Sequence, residues 1–199
     1  AFEALSRFIR PDGAMIHPEV VFSAARESGK INELDLKCMD AAMREFAGFK
    51  TNAKIFLNVD RSTFTRLGDH LDIFDRYGIP HDRLVLELTE QSLMGFRRKI
   101  LEVKELLMQR GILVAFDDAG TGDVSFREVG EFKPAYIKFE RKLITGITRS
   151  PIKQRHVLSM RAFSRGIGAM TIAEGVEMPS ELEYVKKIRL NFAQGYHIA

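Results

Sequence analysis

Acids and amides recur in this 199-residue chain at the far ends of short apolar runs: Glu3, Asn58, Glu87, Asp117 with Asp118, Glu174 and Gln194, joined by Lys138. Each except Glu3 follows mostly apolar residues that read as sheet interior. Any one of them has a plain explanation as a helix cap or a solvated turn. Gathered at one mouth, several carboxylates would repel and raise one another's pKa unless a cation neutralised them, so the set points to a metal site. Carboxylate and amide oxygens with no histidine or cysteine among them suit hard divalent ions such as Mg²⁺ or Mn²⁺ rather than zinc. The adjacent Asp117-Asp118 pair could serve two ions, and paired metals are a recurring device of phosphoester hydrolysis. Lys138 would then hold the attacking water or the scissile phosphate, or serve only to neutralise the acids.

The elements that must bring these residues together are strands near 2–8, 54–60, 83–88, 112–117, 135–139, 169–174 and 192–196. Between them lie amphipathic stretches near 17–28, 32–47, 61–77, 90–110, 141–167 and 179–188. The clearest is 90–110, where Leu93, Phe96, Ile100, Val103 and Leu107 recur at steps of three and four before Gly111. Pro18, Pro151 and Pro179 sit near three helix starts, where a missing N–H costs little. Alternating strands and helices, with strands apolar on both faces, predict an α/β fold with a parallel sheet, a (β/α) barrel rather than an open doubly wound one. In such a barrel all strand C-termini open on one face, where the polar set would converge. A full barrel needs eight strands; the missing one is expected ahead of the first residue.

Composition fits this reading. Hydrophobic residues make up 45% and charged residues 29%, enough apolar material for a core, so global disorder is excluded. A net charge of +3 without any block of five like charges argues against a general nucleic-acid binder. One cysteine, no signal-peptide pattern and no membrane-length apolar run point to a reducing, cytoplasmic domain. Cys38 and Met39, Met43, Met94 and Met108 read as core filler, and the five scattered histidines as solvated or capping residues. Ala119-Gly120-Thr121-Gly122-Asp123 could close over a ligand, but lacks the Lys-Ser/Thr ending of a P-loop.

Taken in order, Glu3-Ala4-Leu5 with Arg7, Leu57-Asn58-Val59, Glu87-Leu88-Thr89-Glu90, Asp117-Asp118-Ala119-Gly120-Thr121-Gly122, Lys138, Glu174-Gly175-Val176-Glu177 and Gln194-Gly195-Tyr196 resemble the bacterial EAL domains over the whole chain. The resemblance implies a modified (β/α)8 TIM-type barrel that hydrolyses cyclic di-GMP to linear pGpG with Mg²⁺ or Mn²⁺, two ions being expected and Ca²⁺ inhibitory. It assigns Glu3, Asn58, Glu87, Asp117, Asp118 and Glu174 to the metal shell, and Lys138 with Glu174 to catalysis. Leu5, Arg7 and Gln194 become substrate contacts, and Glu90, Thr121 and Glu177 loop anchors. It further implies one domain over residues 1–199 of a longer protein with regulatory domains elsewhere, a possible homodimer, and neither DNA binding nor membrane insertion by this segment.

Three departures from the family pattern stand out, of which the first accounts for the strand missing from the count and the last two bear on rate and loop order. The strand with Gln-Pro-Ile that usually leads is not in this chain, Ala119 stands where Phe is usual, and Phe139-Glu140 stands for the usual Ile-Asp. The alternative function is a silent EAL-like domain acting as a cyclic di-GMP receptor or protein-interaction module, against which every metal position and the lysine carry the family's residue. An unrelated barrel enzyme acting on sugar phosphates would leave Arg7 and the Gln-Gly-Tyr ending unexplained.

Overall fold

The computed structural model describes residues 1–89, 92, 96–119 and 126–198. The chain divides into two compact units, one of residues 1–88 with 96–113, the other of the remainder.

The first unit opens with strand β1 (Phe2–Ala4), followed by a small antiparallel hairpin of β2 (Phe8–Ile9) and β3 (Met15–Ile16). The strand expected over 2–8 therefore stops early. The Pro11-Asp12-Gly13 turn closes the hairpin that follows: Gly13 takes φ 84° and donates to Arg10 O at 2.9 Å, while Asp12 accepts from Ala14 N at 3.0 Å. Helices α1 (Pro18–Glu27) and α2 (Ile31–Ala47) follow as expected. The buried face of α2 is Ile31, Asp35, Met39, Met43 and Phe46, a stripe at steps of three and four. Strand β4 (Ile55–Asn58) leads into a four-residue α3 (Arg61–Phe64) and two 3₁₀ turns, Leu67–Asp69 and Leu71–Asp75. A single helix over 61–77 is thus corrected: Gly68 and two Thr residues disfavour helix, and tight turns still bury Leu67, Ile73 and Phe74. Strand β5 (Leu84–Thr89) and helix α4 (Arg97–Gln109) complete the unit. Of the helix expected over 90–110, residues 90, 91 and 93–95 lie outside the described residues. Strands β1, β4 and β5 pair in parallel in that order, and Leu84–Leu88 are wholly buried. Met39 and Met43 are core as expected, whereas Met108 is half exposed on α4.

The second unit carries β6 (Leu113–Ala119), α5 (Phe126–Phe132), β7 (Tyr136–Phe139), α6 (Arg141–Ile144), α7 (Pro151–Ile167), β8 (Met170–Ala173), α8 (Pro179–Lys187) and β9 (Phe192–Ala193). Strands β6 to β9 pair in parallel in chain order. Helix α5 was not expected, and the helix expected over 141–167 is two. Gly146 breaks it in the left-handed region at φ 69°, after which Ser150 caps α7 by accepting from Lys153 N and Pro151 takes its first turn. The strand expected over 192–196 ends at Ala193. No helix among the described residues is long and apolar enough to cross a membrane.

Candidate active site

In the first unit, parallel pairing aligns Glu3 with Phe56 and Asn58 with Glu87. Asn58 closes β4 and its Nδ2 donates to Glu3 Oε1 at 3.4 Å. Val59 N donates to Glu87 O at 3.1 Å, so the ladder holds the backbone just past Asn58. Glu87 is buried within β5 between Leu86 and Leu88, not at the strand's end as expected. Leu5 and Arg7 lie exposed after β1; Arg7 Nη1 donates to Ser6 O at 3.0 Å. With Asn58, Phe22 and Asp35 they line one groove.

Asp35 is a residue that sequence reasoning missed. Its buried carboxylate accepts from Asp60 N at 2.8 Å, and the Asp60 side chain in turn caps α3 by accepting from Ser62 N at 2.9 Å. Arg26 pairs with Asp60 at 3.0 Å. Burial pushes the Asp35 carboxyl up to about 6, and the Asp60 charge adds to that against hydrogen bonds from Asp60 N and Thr63 and the charge of Arg26. An acid in the otherwise apolar stripe of α2 was the signal that could have found it. Cys38 is half-buried in the same groove, and burial raises its thiol pKa.

In the second unit β6 runs through both aspartates to Ala119, two residues beyond the expected end. Its register against β7 slips between Phe116 and Ala119, and Asp118 sits in the left-handed region at φ 53° while its N–H donates to Asp117 Oδ1 at 2.9 Å. This irregularity re-aims neighbouring side chains, as bulges do beside functional sites. From β7, buried Lys138 reaches Asp117 Oδ1 at 3.2 Å and Glu174 Oε1 at 2.8 Å. Glu174 follows β8, its N–H donating to Phe139 O at 3.1 Å. Oxygens of Asp117, Asp118 and Glu174 lie within 4.8 Å of one another, and two of these carboxylates, Asp117 and Glu174, contact the Lys138 ammonium. Burial raises the Asp118 pKa, and the charges of Asp117 and Glu140 raise it further against Lys138 and Lys142. Carboxylates so placed are hard oxygen donors at a spacing that fits a divalent cation.

Gln194 has its backbone pinned, N–H to Ala173 O at 2.8 Å and O from Val176 N at 3.0 Å, with its side chain at the exposed strand end. Gly195 next to it admits no side chain, since a Cβ would lie 2.3 Å from Val176 backbone atoms. Glu177 pairs with Arg141 Nη2 at 2.9 Å, on the helix after β7. Glu90 and Thr121, the other two expected anchors, lie outside the described residues, as does the loop from Gly120 to Asp123. His81 pairs with Asp75 Oδ1 at 3.0 Å and His17 lies 3.9 Å from Glu19 Oε2. Glu140, which acts on Asp118 and pairs with Lys142 at 2.8 Å, was noted in the sequence only as a departure.

Residues 1–199 match the EAL domain family. The chain belongs to that family. Escherichia coli PdeR, a cyclic di-GMP phosphodiesterase, is 29% identical over 208 residues covering 100% of this chain and 31% of its own length. The Pseudomonas aeruginosa MucR phosphodiesterase, solved as a c-di-GMP complex, superposes with a TM-score of 0.88 at 25% identity, covering 98% of this chain and 81% of that one. Klebsiella pneumoniae BlrP1, solved as a manganese/cy-diGMP complex, has a TM-score of 0.82 at 23% identity over 94% of this chain and 48% of that one, a likeness of fold. The α/β fold is thus the TIM-barrel type of EAL domains. The chain spans 24% to 56% of the length of the first curated relatives it matches.

Proposed function

We propose that this EAL domain is a metal-dependent phosphodiesterase that opens cyclic di-GMP to linear pGpG. One observation carries the reading: buried Lys138 lies between Asp117 and Glu174, with Asp118 in the same cluster. Oxygen donors suited to Mg²⁺ or Mn²⁺ come from Asp117, Asp118 and Glu174 and, by the family pattern, also from Glu3, Asn58 and Glu87, enough for two ions. When bound, the ions supply charge neutralisation at the phosphate and acidify water.

The chain's own residues do the rest. Lys138 holds two carboxylates in fixed orientation and keeps an ammonium where negative charge develops on the phosphoryl oxygens. Glu174, oriented by that ammonium, accepts a proton from the attacking water. Arg7 offers a planar guanidinium to the second phosphate, and Leu5 and Gln194 complete the substrate's bed. Ca²⁺, with looser coordination, supports binding but inhibits turnover. Residues 1–199 act as one cytoplasmic domain of a longer protein whose other domains regulate it, and which pairs as a homodimer.

Incubation with cyclic di-GMP and excess Mn²⁺, followed by chromatography, should yield pGpG. Nucleotide that binds tightly yet stays intact would overturn the enzyme reading in favour of a receptor.

A further inference from the structure

The turn after β8 is restrained more heavily than a surface loop needs. Glu174 N is bonded to Phe139 O and Val176 N to Gln194 O. The buried Glu181 carboxylate takes three backbone donors, Gly146 N at 2.8 Å and Glu177 N and Met178 N at 3.1 Å each. Burial alone would raise the Glu181 pKa, but these donors and the charge of Lys153 hold it below the usual range.

Over this frame lies Arg141. Gly175 stands in the left-handed region at φ 63°, and a Cβ there would fall 2.3 Å from Arg141 Cγ, 2.8 Å from its Cβ and 2.9 Å from its Cδ. The aliphatic stem therefore rests directly on the Gly175 backbone, and the guanidinium reaches on to Glu177 Oε1 at 2.9 Å. Stem and head together span the three residues that follow Glu174. Register explains the meeting: Phe139 aligns with Ala173, so the chains leaving β7 and β8 run side by side. The Arg141 side chain is 61% exposed, so it is no part of the core.

We propose that Arg141 is a positioning residue for Glu174, strapping the Gly175–Glu177 turn so that the carboxylate stays against Lys138. This rests on the metal-site reading of Glu174 above. A left-handed residue directly after Glu174 turns the chain sharply, so any rocking of the turn swings the carboxylate across its 2.8 Å contact with Lys138. Displacements near 1 Å matter greatly at such a site.

The test uses the full chain in three variants, Arg141→Gln, Arg141→Lys and Gly175→Ala, with two readouts. Amide hydrogen exchange of the metal-free protein reports the turn itself. Arg141→Gln should speed exchange at Val176, Glu177 and Met178 about tenfold while Ile137 and Ile172 in the strands are unchanged. Mn²⁺ titration followed by the resonance of the free ion reports the carboxylate. Affinity should fall about tenfold in Arg141→Gln, as when outer partners of metal ligands are removed, and recover most of the way in Arg141→Lys. Gly175→Ala should reproduce the loss with Arg141 present, because the new Cβ displaces the stem.

Unchanged exchange in Arg141→Gln overturns the strap. Faster exchange with unchanged Mn²⁺ affinity overturns the positioning of Glu174. A parent protein that binds no Mn²⁺ retires the metal reading instead, and exchange alone then decides whether Arg141 holds the turn.

Discussion

Asp35 provides a measurement in which one buried charge can be isolated. Its carboxyl is 2% exposed and its pKa stands at about 6 against an ordinary 3.8. At about 1.4 kcal/mol per tenfold, burying the anion costs about 3 kcal/mol at neutral pH. A carboxyl raised by folding contributes stability that is fully present below 3.8 and lost as pH rises through about 6. Integrated between pH 4.5 and 7.5, the loss from this group is about 2 kcal/mol. Asp35→Asn keeps an oxygen for Asp60 N, now 2.8 Å away, and has no charge to bury. The variant should therefore gain about 2 kcal/mol on the parent over that pH span, since all other titrating groups are shared. Urea unfolding followed by circular dichroism reads this directly. With a slope of about 2 kcal/mol per M, the difference in midpoints should move by about 1 M between the two pH values. Asp35→Leu should instead be destabilised by about 1–3 kcal/mol at both, because Asp60 N loses its acceptor. Parallel pH profiles for the parent and Asp35→Asn would refute the reasoning.

Lys138→Met, Asp117→Asn and Glu174→Gln should each lower turnover at least about 100-fold with the circular dichroism spectrum unchanged; activity within a few-fold of the parent would remove the residue concerned from the chemistry. Because the Asp118 pKa is raised, Mn²⁺ should bind more tightly as pH rises and release protons on binding. Calorimetry in two buffers of different ionisation heat should see that release shrink in Asp118→Asn. Arg7→Ala should weaken cyclic di-GMP binding in Ca²⁺ about tenfold, and an unchanged affinity would exclude a phosphate clamp. Restoring the family residues together, Ala119→Phe with Glu140→Asp, should raise activity at limiting Mg²⁺, as measured by pGpG formation; a double variant no faster than the parent would show that neither position limits the rate.

Much of the site was legible because its signals are local. The run Ile55–Leu57 ending on Asn58 reads as a buried strand meeting its loop, and Pro179 reads as a helix start, from residues that touch within one turn of chain. The same locality misled where a pattern outlasted its element. Residues 61–77 and 141–167 bury apolar pairs three residues apart, Phe64 with Leu67 and Ile144 with Ile147, yet a 3₁₀ turn satisfies that spacing as well as an α-helix, and left-handed Gly146 separates α6 from α7.

Other features had no local signal strong enough to act on. Asp35 meets its partner only once α2 is laid with that face inward against Asp60, 25 residues away in sequence. Only the pairing of β7 with β8 sets the stem of Arg141 on Gly175. That acids and amides recur where apolar strands give way to turns was set by the sequence alone, because periodicity and turn chemistry act over a few residues, whereas the strand ends themselves moved, leaving Glu87 inside β5 and both aspartates inside β6. That Lys138 bridges Asp117 and Glu174 was decided by tertiary structure, because the contact exists only once parallel strands separated by whole helices come into register, and the energy of that pairing lies in contacts no short stretch of sequence contains.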